Sequence, residues 1–259
     1  RPNLPTDFRM TMPLQFVSSA LRSALLLCAS LLVSTAQAGS FMVDPTRIEL
    51  GQGQLSATLT IRNDDKEPSV IRVEARAWDQ QGEQDTFEAS KEILVTPPII
   101  TVPPGGDQIV RIALRRPLDP AKELTYRIFL QEVPPPPRPG FSGLQVALRI
   151  SLRVFAKPAV GIAPKASWKV AYQTKEHALR VSLANNGNAH LQLQEFKFSA
   201  PGSEAVLALQ QTSVYLLPGK TRDWTIKLAP AVRLNGERLR LRASTDAGDL
   251  DQELELEKP

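Results

Sequence analysis

Apolar and polar residues alternate without interruption along Leu144–Val154, LQVALRISLRV. All of its even-numbered positions are apolar, and all of its odd-numbered positions are polar or small. A period of two is typical of an extended strand with one apolar face, and this stretch predicts a strand of roughly 35 Å. Ordinary strands are about half as long, so we expect one end to extend beyond its own sheet.

The long stretch follows directly on a proline-rich segment, Pro134–Pro139. Neither a helix nor a central strand continues through such a segment, because proline lacks a backbone N–H. A strand that extends beyond its sheet exposes unpaired backbone N–H and C=O groups, which can pair with a strand of another chain. We therefore interpret the stretch as a template for another protein's sheet. The alternative is that its whole apolar face belongs to the core of its own domain.

Short alternating segments and turn residues fill the chain from Gly39 onward, and no segment shows a long helical period. Proline and glycine mark turns, as in Pro103–Gly106, and asparagine and glycine do so in Asn185–Asn188. The first strand, Phe41–Leu50, is interrupted at Pro45. This rhythm predicts an all-β fold of two β-sandwiches.

The N-terminal region has the pattern of a secretory signal. Positive charge at Arg9 and Arg22 precedes an apolar run, Ala24–Val33, and the small residues Ala36 and Ala38 frame a cleavage site. The apolar run is too short to cross a bilayer. Cleavage after Ala38 would separate a leader, 1–38. The proline-bounded junction from Pro158 to Pro164 divides the remainder into an N-terminal β-sandwich domain, 39–158, and a C-terminal β-sandwich domain, 159–259.

Cysteine use and charge exclude several classes of function. Cys28 lies inside the predicted signal, so the mature chain is predicted to lack disulfides, thiolate metal sites and cysteine nucleophiles. The formal net charge is +4 and no basic cluster is interleaved with aromatic residues, which argues against nucleic-acid binding. The sequence begins at Arg1, and we take Met10 or Met12 as the start of translation. We expect no integral membrane segment in the mature chain.

No arrangement of residues indicates catalysis. The two histidines, His177 and His190, are thirteen positions apart and are interpreted as surface or turn residues. There is no metalloprotease motif, phosphate-binding glycine loop or dinucleotide fingerprint. Gly140–Gly143 is one residue short of a nucleophile elbow and precedes a strand. We therefore predict no catalytic residues, no metal site and no cofactor.

Four groups of residues give the first domain a family resemblance: Pro45-Thr-Arg47; Pro97-Pro98 with Pro103-Pro-Gly105 and Gln108-x-Val-Arg111; Tyr126-Arg127, Leu130 and Glu132-Val133-Pro134; and Leu144 to Pro158, which ends in a basic residue and proline. In these groups the chain resembles the periplasmic pilus-assembly chaperones of the chaperone–usher pathway. The match runs from residue 41 to 158. The second domain is similar only in length, strand rhythm and Asn185–Asn188.

The resemblance implies two immunoglobulin-like sandwiches arranged as a boomerang. Such chaperones bind pilus subunits that lack their own final strand, and the last strand of the first domain fills the gap by strand addition. Four side chains would enter the subunit groove: Leu144, Val146, Leu148 and Ile150. Burying each of them contributes about 1.5–3 kcal/mol before ordering costs. Leu152 and Val154 would serve the domain's own core.

The resemblance also implies a site for the subunit's C-terminal carboxylate, with Arg47 and Arg153 at the matching positions. Guanidinium offers a carboxylate two parallel hydrogen bonds. The family usually has lysine at the position of Arg153. Arginine keeps the positive charge there but differs from lysine in length and geometry. Arg149 lies on the same polar face.

The function implied is that of a periplasmic chaperone that folds and caps pilus subunits and delivers them to an outer-membrane usher. We expect no nucleotide requirement, and we expect that the free protein can self-associate through its exposed strand. The first alternative is a structural or adhesive surface protein with two immunoglobulin-like domains. The second is a secreted hydrolase on a β-sandwich.

Overall fold

A computed structural model describes residues 41–136, 146–234 and 238–257. Regular structure in these ranges consists of strands, without a helix, and so no described helix could cross a membrane. The strands are β1 Phe41–Asp44, β2 Arg47–Leu50, β3 Ser56–Asn63, β4 Ser69–Gln81, β5 Gln84–Ala89, β6 Ile93–Thr96, β7 Ile99–Val102, β8 Asp107–Leu114, β9 Leu124–Val133, β10 Arg149–Ala156, β11 Ala166–Gln173, β12 Ala178–Asn185, β13 Leu191–Ser199, β14 Val206–Leu216, β15 Thr221–Lys227, β16 Arg238–Thr245 and β17 Gly248–Glu257.

Strands β1–β10 form the N-terminal sandwich. One sheet has the order β1-β3-β8-β6, and the other has the order β2-β10-β9-β4-β5, with β7 also paired to β4. Their inner faces enclose one apolar core, in which Leu59, Val110 and Ile128 are inaccessible to solvent. Burial of these alternating side chains between two sheets is the main favourable contribution to folding.

The chain changes sheets at Pro45. Before it, β1 pairs antiparallel with β3, and after it, β2 pairs parallel with β10. The interruption predicted inside Phe41–Leu50 is confirmed. Proline has no N–H with which to continue a ladder, so one apolar segment serves both sheets of the sandwich.

The predicted strand Leu144–Val154 is wrong in its bounds. The structure has β10 at Arg149–Ala156, residues 146–148 lie outside it, and Leu144 is outside the described residues. In the antiparallel register with β9, Arg149 lies opposite Gln131, so continuing that register places Val146 opposite Pro134. Proline cannot donate to a ladder, and the pairing therefore stops where the proline-rich segment begins.

Strands β11–β17 form the C-terminal sandwich. Their order is β14-β13-β16-β17-β11-β12-β15, and β17 joins the two halves by pairing with β16 and, in parallel, with β11. A second apolar core lies inside, with Val181, Leu193 and Phe196 inaccessible to solvent. The all-β class with two immunoglobulin-like sandwiches is confirmed. Division of the chain at residue 158 remains a prediction.

The loop after β12 follows from its sequence. The Asn185 side chain is buried and donates to the carbonyls of Ala189 and Leu216 at 2.8 and 2.9 Å. A Cβ on Gly187 would lie 2.3 Å from the Ala163 carbonyl oxygen, so only glycine fits there. The loop thereby holds His190, just before β13, in a defined position against the N-terminal sandwich.

Candidate functional site

The apolar positions of the alternating stretch divide into an exposed and a buried half. Val146 is 74% exposed and Leu148 36%, whereas Leu152 is 3% exposed and Val154 is fully buried. Ile150 is half-buried against the N-terminal core. The placement of Leu152 and Val154 in their own domain's core is confirmed. The role of the exposed half stays a prediction.

Beside this exposed half, β10 has an open edge. The Glu132 N–H donates to the Leu148 carbonyl at 2.9 Å, so even-numbered residues direct their backbone groups toward β9. Odd-numbered residues direct theirs to the opposite side, where β2 begins to pair only at Arg153. Within the described residues, the outer edge at Arg149 and Ser151 therefore has no partner strand. Such an edge is a template for another strand.

Four arginines lie in one row across the second sheet. Arg47 on β2 is the register partner of Arg153 on β10, which is opposite Arg127 on β9, which in turn is opposite Arg76 on β4. Register partners in a sheet place their side chains on the same face. The two arginines selected from the sequence, Arg47 and Arg153, are thus neighbours, and the fold adds two more.

Arg47 is held by groups from both sandwiches. Its guanidinium lies 2.8 Å from Glu49 and 3.8 Å from Asp246, which precedes β17. Lys157 also contacts Glu49 at 2.5 Å and holds the pKa of that carboxyl below its usual range. One Nη of Arg47 lies 3.1 Å from Nε2 of His190. The charge of Arg47 is therefore balanced in the folded chain.

His190 is buried between the sandwiches, which corrects its interpretation as a surface or turn residue. Its ring stacks on Phe155 with centroids 3.7 Å apart, and Glu123 Oε2 lies 2.7 Å from Nδ1. Arg47 can only donate, so Nε2 accepts and Nδ1 donates to Glu123. The Glu123 side chain is 1% exposed, and a buried carboxylate requires such donors. His177 does lie in a turn.

Arg153 and Arg127 line a cleft of about 260 Å³ between the sandwiches. The Arg153 guanidinium lies over the Tyr215 ring at 4.3 Å, and the Arg127 guanidinium lies over the Trp78 ring at 4.0 Å. The Nε atoms of both arginines are buried and have no hydrogen-bond acceptor in the described structure. Burial lowers the pKa of Arg127, and the charge of Arg153 lowers it further. The cleft is therefore electropositive.

The position of Tyr215 depends on a glutamine clamp. Gln80, near the end of β4, donates to the Tyr215 carbonyl at 2.8 Å and accepts from the Leu217 N–H at 3.0 Å. The clamp joins the β4–β5 hairpin to β14, and the aromatic faces of Trp78 and Tyr215 then border the same cleft.

Sequence reasoning missed the roles of Arg127, Tyr215, His190 and Glu123. Arg127 alone carried a signal, since it alternates with the buried Tyr126 and Ile128 and so belongs to the polar face of β9. Which residue lies opposite it depends on register, and register is set by pairing across distant segments.

A family comparison adds to this geometry. Residues 40–161 match the model of the pili and flagellar-assembly chaperone family, PapD N-terminal domain. The N-terminal sandwich belongs to this chaperone family. The match includes the open strand edge and both sequence-selected arginines.

Relatives by sequence are named as chaperone proteins. The chain is 33% identical over 146 residues to chaperone protein FaeE of Escherichia coli, covering 55% of this chain and 54% of that protein. It is 29% identical over 141 residues to chaperone protein FimB/FhaD of Bordetella pertussis, covering 50% and 56%. The chain thus spans about half the length of the relatives it matches.

Solved structures with the same fold cover more of the chain. A chain of the CsuC–CsuE chaperone–tip adhesion subunit complex of Acinetobacter baumannii matches with a TM-score of 0.61 and 18% identity, covering 85% of this chain and 99% of that one. Escherichia coli chaperone DraB matches with a TM-score of 0.56 and 19% identity, covering 85% and 98%. At this identity the comparison establishes the fold.

Proposed function

We propose that the chain is a periplasmic chaperone that binds and caps pilus subunits by donating a strand, and that delivers them to an outer-membrane usher. It acts without catalysis and without a cofactor. The observation that carries this proposal is the open, apolar edge of β10, which ends beside Arg153. Membership of the N-terminal sandwich in the chaperone family supports it.

The exposed side chains give the donated strand its binding energy. Val146 and Leu148 lie on the apolar face of the stretch. Burying the largely exposed Val146 in a partner's groove contributes up to about 1.5–3 kcal/mol, and Leu148, which is only 36% exposed, contributes a smaller part of that range. The backbone groups at Arg149 and Ser151 supply ladder hydrogen bonds to an added strand. Leu144 would extend the same face.

The direction of the added strand follows from charge. A strand on this edge lies in line with β2, whose first residue is Arg47. If its C-terminal carboxylate is to reach the arginine row, the strand must run parallel to β10. A single terminal carboxylate, charge-assisted by guanidinium, then sets the register of the subunit on the chaperone.

The alternative, a structural or adhesive surface protein, would use the same sandwiches without an exchangeable partner. In that case the face at Val146 and Leu148 would be covered permanently in an assembled fibre. The hydrolase alternative is weaker, because no three His, Cys, Asp or Glu side chains cluster as a metal site in the described ranges, and the buried His190 is engaged by Glu123 and Arg47.

The test is recovery of the mature protein from the periplasm of its host under piliating conditions, with mass spectrometry of what co-purifies. We expect a stoichiometric, β-rich partner that is lost in Leu148→Asp. Leu209→Asp is the matched control, because Leu209 is similarly exposed but lies on β14, away from the open edge.

A partner retained equally by both variants would reject the strand-donor mechanism. A wild-type protein recovered alone while pili are being made would favour the structural alternative.

A further inference from the structure

We propose that Glu132 is a positioning residue for strand donation. Its carboxylate holds the backbone of Leu148, so that Val146 and Leu148 are presented to a partner on one face and in one register. The proposal rests on the proposed strand-donor function, and it adds a residue that prepares the donated segment before a partner arrives.

Leu148 is anchored to the end of β9 through both of its backbone polar groups. Its carbonyl accepts from the Glu132 N–H at 2.9 Å, and its N–H donates to Glu132 Oε2 at 3.1 Å. In an antiparallel ladder a backbone carbonyl of the opposite strand would accept from this N–H. Here a carboxylate takes that place, and hydrogen bonds to an ionised acceptor are roughly twice as strong as neutral ones.

The Glu132 carboxylate is itself held in position. Its other oxygen, Oε1, accepts from the Ser69 hydroxyl at 2.9 Å. Ser69 is the first residue of β4, the strand that pairs with β9 on the side away from β10, and both side chains are half-buried. To move away from Leu148, the carboxylate would have to give up the bond from Ser69. The anchor is therefore braced by a second strand.

The anchor lies where β9 can no longer hold the donated segment. Strand β9 ends at Val133, and Pro134, which follows it, has no N–H to donate. On the other strand, residues 146–148 lie before the start of β10. Within the described residues, β9 therefore makes its last hydrogen bonds to the exposed half at Leu148.

Fixing the backbone of Leu148 fixes the face on which the exposed half presents its side chains. Leu148 and Ile150 line the same apolar cavity, and Glu132 borders it. A shift of one residue would turn Val146 and Leu148 to the polar face. A segment without an anchor would also have to be ordered when a partner binds, which is unfavourable. An anchor that orders the segment beforehand therefore favours binding.

The test measures how tightly a labelled peptide, with leucine at alternating positions and a free C-terminus, binds to the wild type and to anchor variants. Glu132→Ala should bind it about five- to thirtyfold more weakly, because the Leu148 N–H loses its acceptor. Glu132→Gln should stay within about threefold of the wild type, because an amide oxygen can still accept from Leu148. Ser69→Ala, which removes only the brace, should give an intermediate loss.

Two controls separate positioning from stability. Ile128→Val removes a methyl group from the buried face of the same strand, and Glu88→Ala removes an exposed carboxylate from β5. Both should leave peptide binding unchanged, although Ile128→Val should lower the temperature of thermal unfolding. Thermal unfolding also identifies any variant that does not fold. If Ile128→Val weakened peptide binding as much as Glu132→Ala does, loss of stability would be a sufficient explanation and the proposal would be overturned.

Amide hydrogen exchange tests the anchor without a partner. Exchange at the Leu148 N–H should be faster in Glu132→Ala than in the wild type or in Glu132→Gln, and exchange at the Ile128 N–H should be the same in all three. Equal exchange at Leu148 in the three proteins would show that the carboxylate does not hold this backbone, against the proposal.

Failure of the proposed function has a different result. A wild-type protein that protects the Leu148 N–H but captures no peptide would contradict strand donation, and with it any role of Glu132 in donation. Peptide capture that requires Leu148, and that is equally tight in the wild type and in Glu132→Ala, would support strand donation and overturn the positioning role.

Discussion

Val146 is 74% exposed and Leu148 is 36% exposed, whereas Leu152 and Val154, four to eight residues further along the same alternating stretch, lie in the N-terminal core. The pattern of the two halves is the same, and their surroundings differ. Next to the buried half, β9 continues on one side and β2 covers the other. Along the exposed half, β9 reaches only as far as Glu132 and Val133, beside Leu148, before prolines follow, and β2 has not begun. Neighbouring strands, and not the alternation itself, decide which half remains available to a partner.

Arg47 and Arg153 differ in the same way. They are register partners on adjacent strands, yet Arg47 contacts two carboxylates and a histidine, whereas Arg153 contacts the face of an aromatic ring. Glu49 on β2 supplies one of these carboxylates, and the C-terminal sandwich adds Asp246 and His190 to one arginine and Tyr215 to the other.

The largest effect is expected from truncation in the buried half. Leu152→Ala should lower the free energy of unfolding by about 2–5 kcal/mol, because it removes a buried side chain and leaves a cavity. Val146→Ala should change it by less than about 0.5 kcal/mol, because Val146 is exposed. Urea unfolding measures both. Similar losses in the two variants would mean that the exposed half is core.

A smaller effect is expected at the buried histidine. His190→Ala should lower the free energy of unfolding by about 1.5–3 kcal/mol. The buried Glu123 carboxylate would lose its hydrogen bond from His190 Nδ1 and would keep only the one from the backbone N–H of residue 190. Adding Glu123→Gln should recover part of the loss, because no buried charge then remains. A double variant with fully additive losses would argue that the two side chains act independently.

A pH-dependent effect is expected near the buried half of β10. Tyr126, opposite Val154, donates to Glu92 at 2.6 Å, and Arg116 contacts the other Glu92 oxygen at 2.6 Å. Tyr126, followed by Arg116, holds the pKa of Glu92 below its ordinary value of 4.5. Burial, aided by Glu92, raises the pKa of the Tyr126 hydroxyl, which therefore stays a donor.

Because the pKa of Glu92 is lower in the folded than in the unfolded protein, ionised Glu92 stabilises the fold above pH 4.5. This stabilisation is lost as the pH falls through the pKa of Glu92 in the folded protein. Tyr126→Phe should therefore lower the free energy of unfolding by about 0.5–1.5 kcal/mol at neutral pH, and by less in acid. The loss is small because Glu92 is 41% exposed, so solvent weakens its hydrogen bond with Tyr126. Urea unfolding between pH 2.5 and 7 tests this. A difference between wild type and Tyr126→Phe that stays constant over this range would exclude Glu92 as the cause.

The smallest effect on stability is expected from a charge in the exposed half. Val146→Asp should change the free energy of unfolding by less than about 0.5 kcal/mol, yet it should reduce self-association of the free protein, which sedimentation measures as a function of concentration. Val206→Asp, on β14, is the control. Equal self-association in wild type and Val146→Asp would place the contact elsewhere.

Periodicity was a sufficient guide to most strands but not to their ends. The interruption at Pro45 and the turn at Pro103–Gly106 depend on local chemistry and were predictable. The start of β10 was not, because it depends on Pro134 lying opposite Val146 across a register that only the folded sheet defines. Strand β5 has no clear apolar alternation in the sequence, since its only large apolar side chain is Phe87.

The candidate site shows the same limit. Arg47 and Arg153 could be selected because the family resemblance implies a carboxylate site at their positions, whereas spacing in the chain does not place Arg127 or His190 beside them. Arg127 comes to Arg153 through pairing of β9 with β10, and His190 comes to Arg47 over 143 positions of sequence. The first contact depends on strand pairing within a sheet, and the second depends on packing between the two sandwiches.

The sequence by itself determined the alternation of strands, the turns between them, the proline-rich segment before β10 and the family of the first sandwich. These are local properties, since side-chain period and proline chemistry act within a few residues. Only the tertiary structure decided that half of the alternating stretch is exposed, and that Arg47 is neutralised while Arg153 is not. The reason is that burial and charge balance depend on neighbours brought together from distant parts of the chain.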